Sequence, residues 1–239
     1  MPRQDDEILL PTANLKLALW DQQGDGMVGA NPMRGLSSDG IASGLSMVGD
    51  PVGRWFAYRG SVEGSQVTSG YRPTRQANGL QLGTNRRLNV APGVVNGAFT
   101  VYAVGVAPTA GDLCLCGSTI PWSFLSPKRG NKVAGSTETA LTGEVPYAGP
   151  LDTPALFRFR RTSSNAVFFD TAGQSSSLNT AAGPFDIEQI GSRVKGLEWS
   201  HPDGRISLFL FYWTDTIADG TDYAIRRWIA AQPSLGVSL

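Results

Sequence analysis

The stretch Ile206-Ser-Leu-Phe-Leu-Phe-Tyr-Trp213 is apolar on both of its alternating faces, and directly after it the spacing of the apolar residues changes. Successive side chains of a strand point to opposite sides, so a strand that is apolar on both is covered on both and belongs at the centre of a sheet. Beyond it, Ala224, Ile225, Trp228, Ile229 and Gln232 fall at helical spacing, with Asp219 placed to cap a helix and Pro233 to stop it. The pattern predicts a central strand over 206–213 and one helix near 219–231.

A second strand of the same kind runs from Ala98 to Ala107, where Phe99, Val101 and Ala103 alternate with Thr100, Tyr102, Val104 and Val106. Shorter period-two pieces stand at Leu15/Leu17/Leu19, Arg54 to Arg59, Leu80/Leu82, Leu88/Val90, Asp112 to Cys116 and Ala155 to Arg160. A Ser-Ser-Asn turn before Ala166 to Asp170 predicts a hairpin. Residues 21–53, 123–154 and 171–184 are rich in Ser, Thr, Gly, Pro or Asp and read as long connections over a rim.

Composition agrees with an all-β chain. Of 239 residues 29 are Gly and 17% are charged, against a usual ~25% charged, so turns and uncharged surface outweigh salt-bridged helix. The expected fold is a single antiparallel jelly-roll β-sandwich with one short C-terminal α-helix, covering 15–239 behind an arm at 1–14. In the arm, the triplet Ile8, Leu9 and Leu10 is a candidate docking point on a partner.

Lys+Arg equal Asp+Glu at 20 each, and the basic pairs Arg86-Arg87, Lys128-Arg129, Arg160-Arg161 and Arg226-Arg227 are scattered. Read as solvated surface, they provide no clustered phosphate-neutralising face, so nucleic acid is not an expected partner. No stretch approaches the ~20 apolar residues of a membrane span, so no membrane insertion is expected. The acidic opening Met-Pro-Arg-Gln-Asp-Asp-Glu lacks the pattern of an export signal. Cys114 and Cys116, two apart on a strand, would make a strained disulfide and read as core thiols. The lone histidine, His201, sits in a turn composition, Ser-His-Pro-Asp-Gly.

The run from Asp203 to Ala231, with a Gly turn, a long apolar strand and a capped helix ending in Trp228-Ile229, resembles the closing unit of concanavalin A-like lectin/glucanase (laminin-G-like) domains. Val52-Gly-Arg-Trp-Phe, Arg72-Pro-Thr and Asn78-Gly-Leu-Gln-Leu-Gly-Thr-Asn-Arg-Arg-Leu, followed by Phe99-Thr-Val-Tyr-Ala-Val, are similar to the early part of these domains in bacteriophage structural proteins. The resemblance spans 15–232. It implies a virion protein of spike, fibre or decoration type on the exterior of a phage or phage-like particle, assembled in the host cytoplasm. Other particle proteins, further copies of the chain and host surface polysaccharide are the implied partners.

The hydrolytic branch of this superfamily carries Glu-x-Asp-x-x-Glu, setting two carboxyl groups about 5–5.5 Å apart for retaining hydrolysis. Here the nearest approach is Asp186-Ile-Glu188, without a third acid, and it reads as turn or edge-strand acids. The expectation is therefore a non-enzymatic protein. A purely structural connector without glycan binding is the second reading, and a glycoside hydrolase-like enzyme the third. No cofactor is required, though the resemblance makes calcium at Asp21 and Asp25 a candidate. Sugars dock on exposed aromatic faces, and Trp55, Tyr58, Tyr71, Trp122 and Tyr147 lie in or beside the loop-rich regions. The competing reading of Trp55 and Trp122 is core.

Overall fold

Strand Phe99–Val106 pairs antiparallel with Arg205–Tyr212 on one side and Pro154–Arg161 on the other. Phe99–Val106 and Arg205–Tyr212 are the central strands that the two-faced apolar patterns predict. The computed structural model describes residues 10–20, 36–37, 48–49, 51–55, 57–59, 64–76, 79–83, 85–118, 123–137, 141–194, 198–214 and 217–237. Outward from the centre, the first sheet adds Val167–Thr171 and Gln174–Leu178 at one side, and Leu15–Trp20 and Ala57–Arg59 at the other. Gly79–Gln81 also pairs with Arg205–Tyr212 and carries Thr74–Gln76.

The second sheet runs, in spatial order, Leu141–Pro146, Lys132–Ser136, Phe124–Arg129, Cys116–Gly117, Phe185–Ile190, Leu88–Val95, Gly64–Ser65, Arg54–Trp55 and Leu36–Ser37. The protein is an antiparallel β-sandwich with one helix near the C-terminus, Asp219–Ala230. No helix among the described residues is long and apolar enough to cross a membrane.

Alternation along the central strands produces two separate cores. Val101, Ala103, Phe209 and Phe211 point between the sheets, where they join Phe99, Phe157, Phe159, Phe169, Phe185 and Ile187. Phe99 from the first sheet stacks on Phe185 from the second, with ring centroids 4.4 Å apart. The intervening residues Tyr102, Val104, Leu208, Leu210 and Tyr212 point outward, and Ile225, Trp228 and Ile229 of the helix cover them. Burying one such side chain is worth about 1.5–3 kcal/mol. Each face of a central strand therefore contributes to stability independently.

Several details depart from the sequence expectations. Asp219 is not the cap: the N-cap is Ala218, which makes no side-chain cap bond, and Asp219 and Asp222 stand inside the first turn, where the helix dipole favours them. Residues 123–154 and 171–184 are not plain connections, since they contain the strands 124–129, 132–136, 141–146 and 174–178. Their Ser, Thr and Gly residues hide the alternation because the outermost strands, Leu141–Pro146 and Gln174–Leu178, each pair on one side alone, and backbone pairing holds them without an apolar stripe. Asp112 to Cys116 is mostly irregular, with one bridge at Leu113 and a strand confined to Cys116–Gly117. Cys114 and Cys116 are buried free thiols.

The basic pairs are not simply solvated surface. Arg161 is completely buried, and Lys128 and Arg87 are 2% and 7% exposed. Lys128 Nζ donates to the carbonyls of Thr109 and Gly111 at 3.2 and 2.7 Å. Leu10, expected in a docking arm, is 3% exposed and belongs to the core under the helix. Next to it, the carbonyl of Pro11 accepts a hydrogen bond from Tyr212 Oη at 2.9 Å. The boundary drawn at residue 14 thus falls inside the fold, and Ile8 and Leu9 lie outside the described residues.

The helix is also held by a polar cluster. The Tyr102 hydroxyl donates to Asp222 Oδ1, Arg158 reaches the same oxygen at 2.8 Å, and Arg226 reaches Oδ2 at 2.8 Å. Burial pushes the Asp222 carboxyl up, but the Tyr102 hydroxyl and the two guanidinium groups outweigh it and hold the pKa below the ordinary value. A carboxyl with a depressed native pKa adds stability that is full above its unfolded pKa, ~3.9, and is lost as pH falls through the native one. Asp222→Asn is expected to lower unfolding free energy at pH 7 by about 2 kcal/mol, between surface and buried pairs. Urea titrations at pH 7 and at pH 3 should show the gap between wild type and variant shrinking at the lower pH.

Candidate functional site

On the face of the second sheet opposite the inter-sheet core lies a groove of about 760 Å³. That is within the ~300–1,000 Å³ range of small-molecule sites. Its floor is the pair of strands Leu88–Val95 and Phe185–Ile190, and its wall is the segment from Gln66 to Tyr71. The strands pair as Asp186 with Val94, Ile187 with Gly93 and Gln189 with Asn89, so residues 90–92 stand opposite Glu188 alone. Such a bulge re-aims side chains. Gly93 carries it at φ +95°, a conformation L side chains rarely adopt, and a Cβ there would meet the Trp213 ring at 3.5 Å.

Asp186, Glu188 and Gln189 line the groove together with Ile187, which also joins Phe185 and Ile190 in the core. The two acids read as turn or edge-strand residues are therefore on an inner strand. Asp186 is 9% and Gln189 3% exposed. The Asp186 carboxylate accepts from Ser118 Oγ at 3.3 Å, and its amide donates to Ser123 Oγ at 3.1 Å.

The wall is tied down by its own polar groups. The Gln66 side chain donates to the carbonyl of Arg87 at 3.4 Å and accepts from the Thr68 amide at 3.1 Å. Arg72 Nε donates to the carbonyl of Gln66 at 3.0 Å. The Arg87 amide donates to the carbonyl of Tyr71 at 2.9 Å, closing the 3-10 turn Ser69–Tyr71 against the floor. Above that bond the Arg87 guanidinium lies on the Tyr71 ring, 4.4 Å from its centroid. Burial lowers the pKa of this guanidinium, which nevertheless stays charged. Tyr71 itself is 37% exposed. One face of the ring is thus fixed by Arg87 and part of the rest is open to the groove.

Of the aromatic residues singled out in the sequence, Tyr71 is the one that lines the groove among the described residues. Trp55 is completely buried in the core, so its ring offers no face to a ligand. Tyr147 is half-buried against the core and donates its hydroxyl to the carbonyl of Pro150 at 2.6 Å. Burial pushes that hydroxyl's pKa up. Tyr58 belongs to strand Ala57–Arg59 of the other sheet. Trp122 and the calcium candidates Asp21 and Asp25 lie outside the described residues. Among the described residues no group of three His, Cys, Asp or Glu is placed to hold a metal ion. His201, in its turn, has Nδ1 3.5 Å from Asp203 Oδ2.

Sequence reasoning missed Gln66, Arg87, Asn89 and Gln189. The Asp186/Glu188 alternation was the visible signal for the floor, whereas the pairing of Tyr71 with Arg87 has no local signature.

No family model matches the sequence, and no curated protein is significantly similar to it. Solved structures share the fold at low identity. The Trypanosoma rangeli sialidase in complex with sialic acid superposes with a TM-score of 0.57 at 16% identity, over 96% of this chain and 35% of the sialidase. A point mutant of HCR/D superposes with a TM-score of 0.50 at 9% identity, over 92% of this chain and 53% of that one. The binding domain of botulinum neurotoxin DC in complex with SialylT reaches a TM-score of 0.45 at 9% identity, over 71% and 48%, too loose a likeness to support an argument. This chain spans about a third of the sialidase, and at these identities the likeness establishes the fold.

The Gln66 bonds make the wall testable without a ligand. Gln66→Ala is expected to free the Thr68 amide, so its hydrogen exchange should accelerate about tenfold or more relative to strand amides such as that of Val101. Unchanged protection at Thr68 would show that the wall is held by other groups.

Proposed function

We propose that this is a non-enzymatic carbohydrate-binding domain, and that the groove beside Tyr71 is its binding site. The observation that carries the reading is the Tyr71 ring, backed on one side by Arg87 and partly open, above a floor of carboxylate and amide groups. A sugar presents an apolar ring face for stacking and a girdle of hydroxyl groups for acceptors, and this pairing of surfaces matches both. The shared fold with a sialidase in complex with sialic acid supports it in kind. Asp186-Ile-Glu188 lacks the third acid of the hydrolytic motif, which favours binding over cleavage.

Tyr71→Ala is expected to weaken glycan binding about five- to tenfold, the ~1 kcal/mol of one stacking contact, with stability changed by no more than about 1 kcal/mol. A glycan array followed by calorimetry on the strongest binder measures the first, and thermal unfolding the second. An array without any binder would leave the structural-connector reading in its place.

The resemblance to phage structural proteins extends the proposal to a setting: the domain is displayed on the exterior of a phage or phage-like particle, where many copies compensate for a weak single site. Peptides of this chain are expected in particles purified on a density gradient, with antibody against the domain binding intact particles. Absence from purified particles would overturn the setting and leave the groove reading untouched.

A further inference from the structure

The helix covers part of the outer face of the first sheet and leaves the strands toward one edge beside it. Alternation along Pro154–Arg161, Val167–Thr171 and Gln174–Leu178 turns Phe159, Phe169 and Leu178 into the inter-sheet core. The intervening residues Arg158, Arg160, Phe168, Asp170, Ser175 and Ser177 point the other way. Strand register sets them in two rows across the sheet. Arg158 pairs with Asp170 and Asp170 with Ser175, while Arg160 pairs with Phe168 and Phe168 with Ser177.

In the first row every charge is met. Arg158 reaches Asp170 at 2.7 Å and Asp222 of the helix at 2.8 Å, and Arg226 reaches Asp222 at 2.8 Å. Ser175 Oγ donates to Asp170 at 2.6 Å. Two acids and two bases balance there, and Arg160 in the second row is a surplus cation. Among the described residues it has no hydrogen-bond or ion-pair partner. Its guanidinium lies on the Phe168 ring, 4.8 Å from the centroid, with Nε enclosed and the two terminal amino groups in contact with solvent.

This arrangement suits an oxyanion. The ring supports the guanidinium plane, so little freedom is lost when the fork engages a ligand, and its terminal N–H groups match two oxygens of a carboxylate or sulfate. Hydroxyl groups without charge stand nearby: Ser177 is exposed beside Phe168, and Ser163 and Ser164 are exposed in the turn that follows Arg161. A protein partner favours an apolar centre, whereas one cation among hydroxyl groups matches a sugar that carries an acid. We propose that this strip is a second ligand site, across the sandwich from the groove, which takes an acidic sugar by its carboxylate or sulfate on Arg160.

The test titrates the full chain with glucuronate, glucose 6-sulfate, glucose, inorganic sulfate and a glutamate-rich peptide, following amide and arginine side-chain chemical shifts. An acidic sugar is expected to bind about tenfold or more tightly than glucose, the worth of a charge-assisted contact, and the gap should narrow as salt is raised. The shifts should centre on Arg160, Phe168 and Ser177. In Arg160→Gln the preference should fall toward one, and Arg160→Lys, which keeps the charge without the fork, should fall between. Tyr71→Ala should leave it unchanged. Shifts of the wild-type chain confined to the groove, equal binding of glucose and the acidic sugars, or no shift with either acidic sugar overturns the proposal. Inorganic sulfate binding as tightly as glucose 6-sulfate would assign the site to a free oxyanion, and a peptide binding at Arg160 more tightly than the acidic sugars would assign it to an acidic protein segment; each overturns the sugar. The groove reading survives all of these outcomes, because its site is on the other sheet.

Discussion

The structure depends on one buried cation. Arg161, at the end of a first-sheet strand, is completely buried, and its guanidinium makes five hydrogen bonds among the described residues, all to main-chain carbonyls: those of Val95, Gly97, Ala181 and Gly183. A guanidinium has five N–H donors, so every one is used, and the cost of burying its charge is met by peptide dipoles. Burial lowers its pKa without neutralising it. Its ring neighbour is Phe99, 5.1 Å from the guanidinium carbon, which itself stacks on Phe185.

Those four carbonyls stand where strand Leu88–Val95 ends and where the chain approaches strand Phe185–Ile190. These are the two strands that make the groove floor. A residue of the first sheet thus sets the ends of the two strands on which the candidate site is built in the second. Beyond that clasped end the register slips at Glu188, and the bulge brings consecutive residues, Glu188 and Gln189, to the groove where strict alternation would turn one of them inward. The candidate site is a local irregularity next to one clasped end of the strand pair, and residues locked by such packing hold a site's geometry.

The two outer faces of the sandwich have different fates for the same reason of side-chain period. On the first sheet the outward residues are Tyr102, Val104, Leu208, Leu210 and Tyr212, too apolar to be left in water, so the chain returns with a helix to cover them. On the second sheet the groove floor carries the polar residues Asn89, Asp186, Glu188 and Gln189 beside Ala91 and Val94. That difference leaves one face under the helix and the other with a groove.

The elements legible in the sequence are those whose burial is settled locally. An apolar alternation such as Phe99 to Val106 announces a central strand because each side chain reports its own face, and the change of period at 219–230 announces a helix in the same way. What the tertiary structure alone decided is what depends on distant partners. The edge strands in 141–146 and 174–178 exist through backbone pairing, which no side chain encodes. Arg161 reads as surface charge in isolation and becomes a clasp because carbonyls 20 to 66 residues away converge on it. Tyr71 is visible as an aromatic residue near a loop, but its place in the candidate site comes from Arg87 and from a bulge in a strand pair almost a hundred residues apart in sequence. Side-chain period is a property of neighbouring residues and survives in the sequence, whereas a site assembled from separate strands is a property of the packing that brings them together.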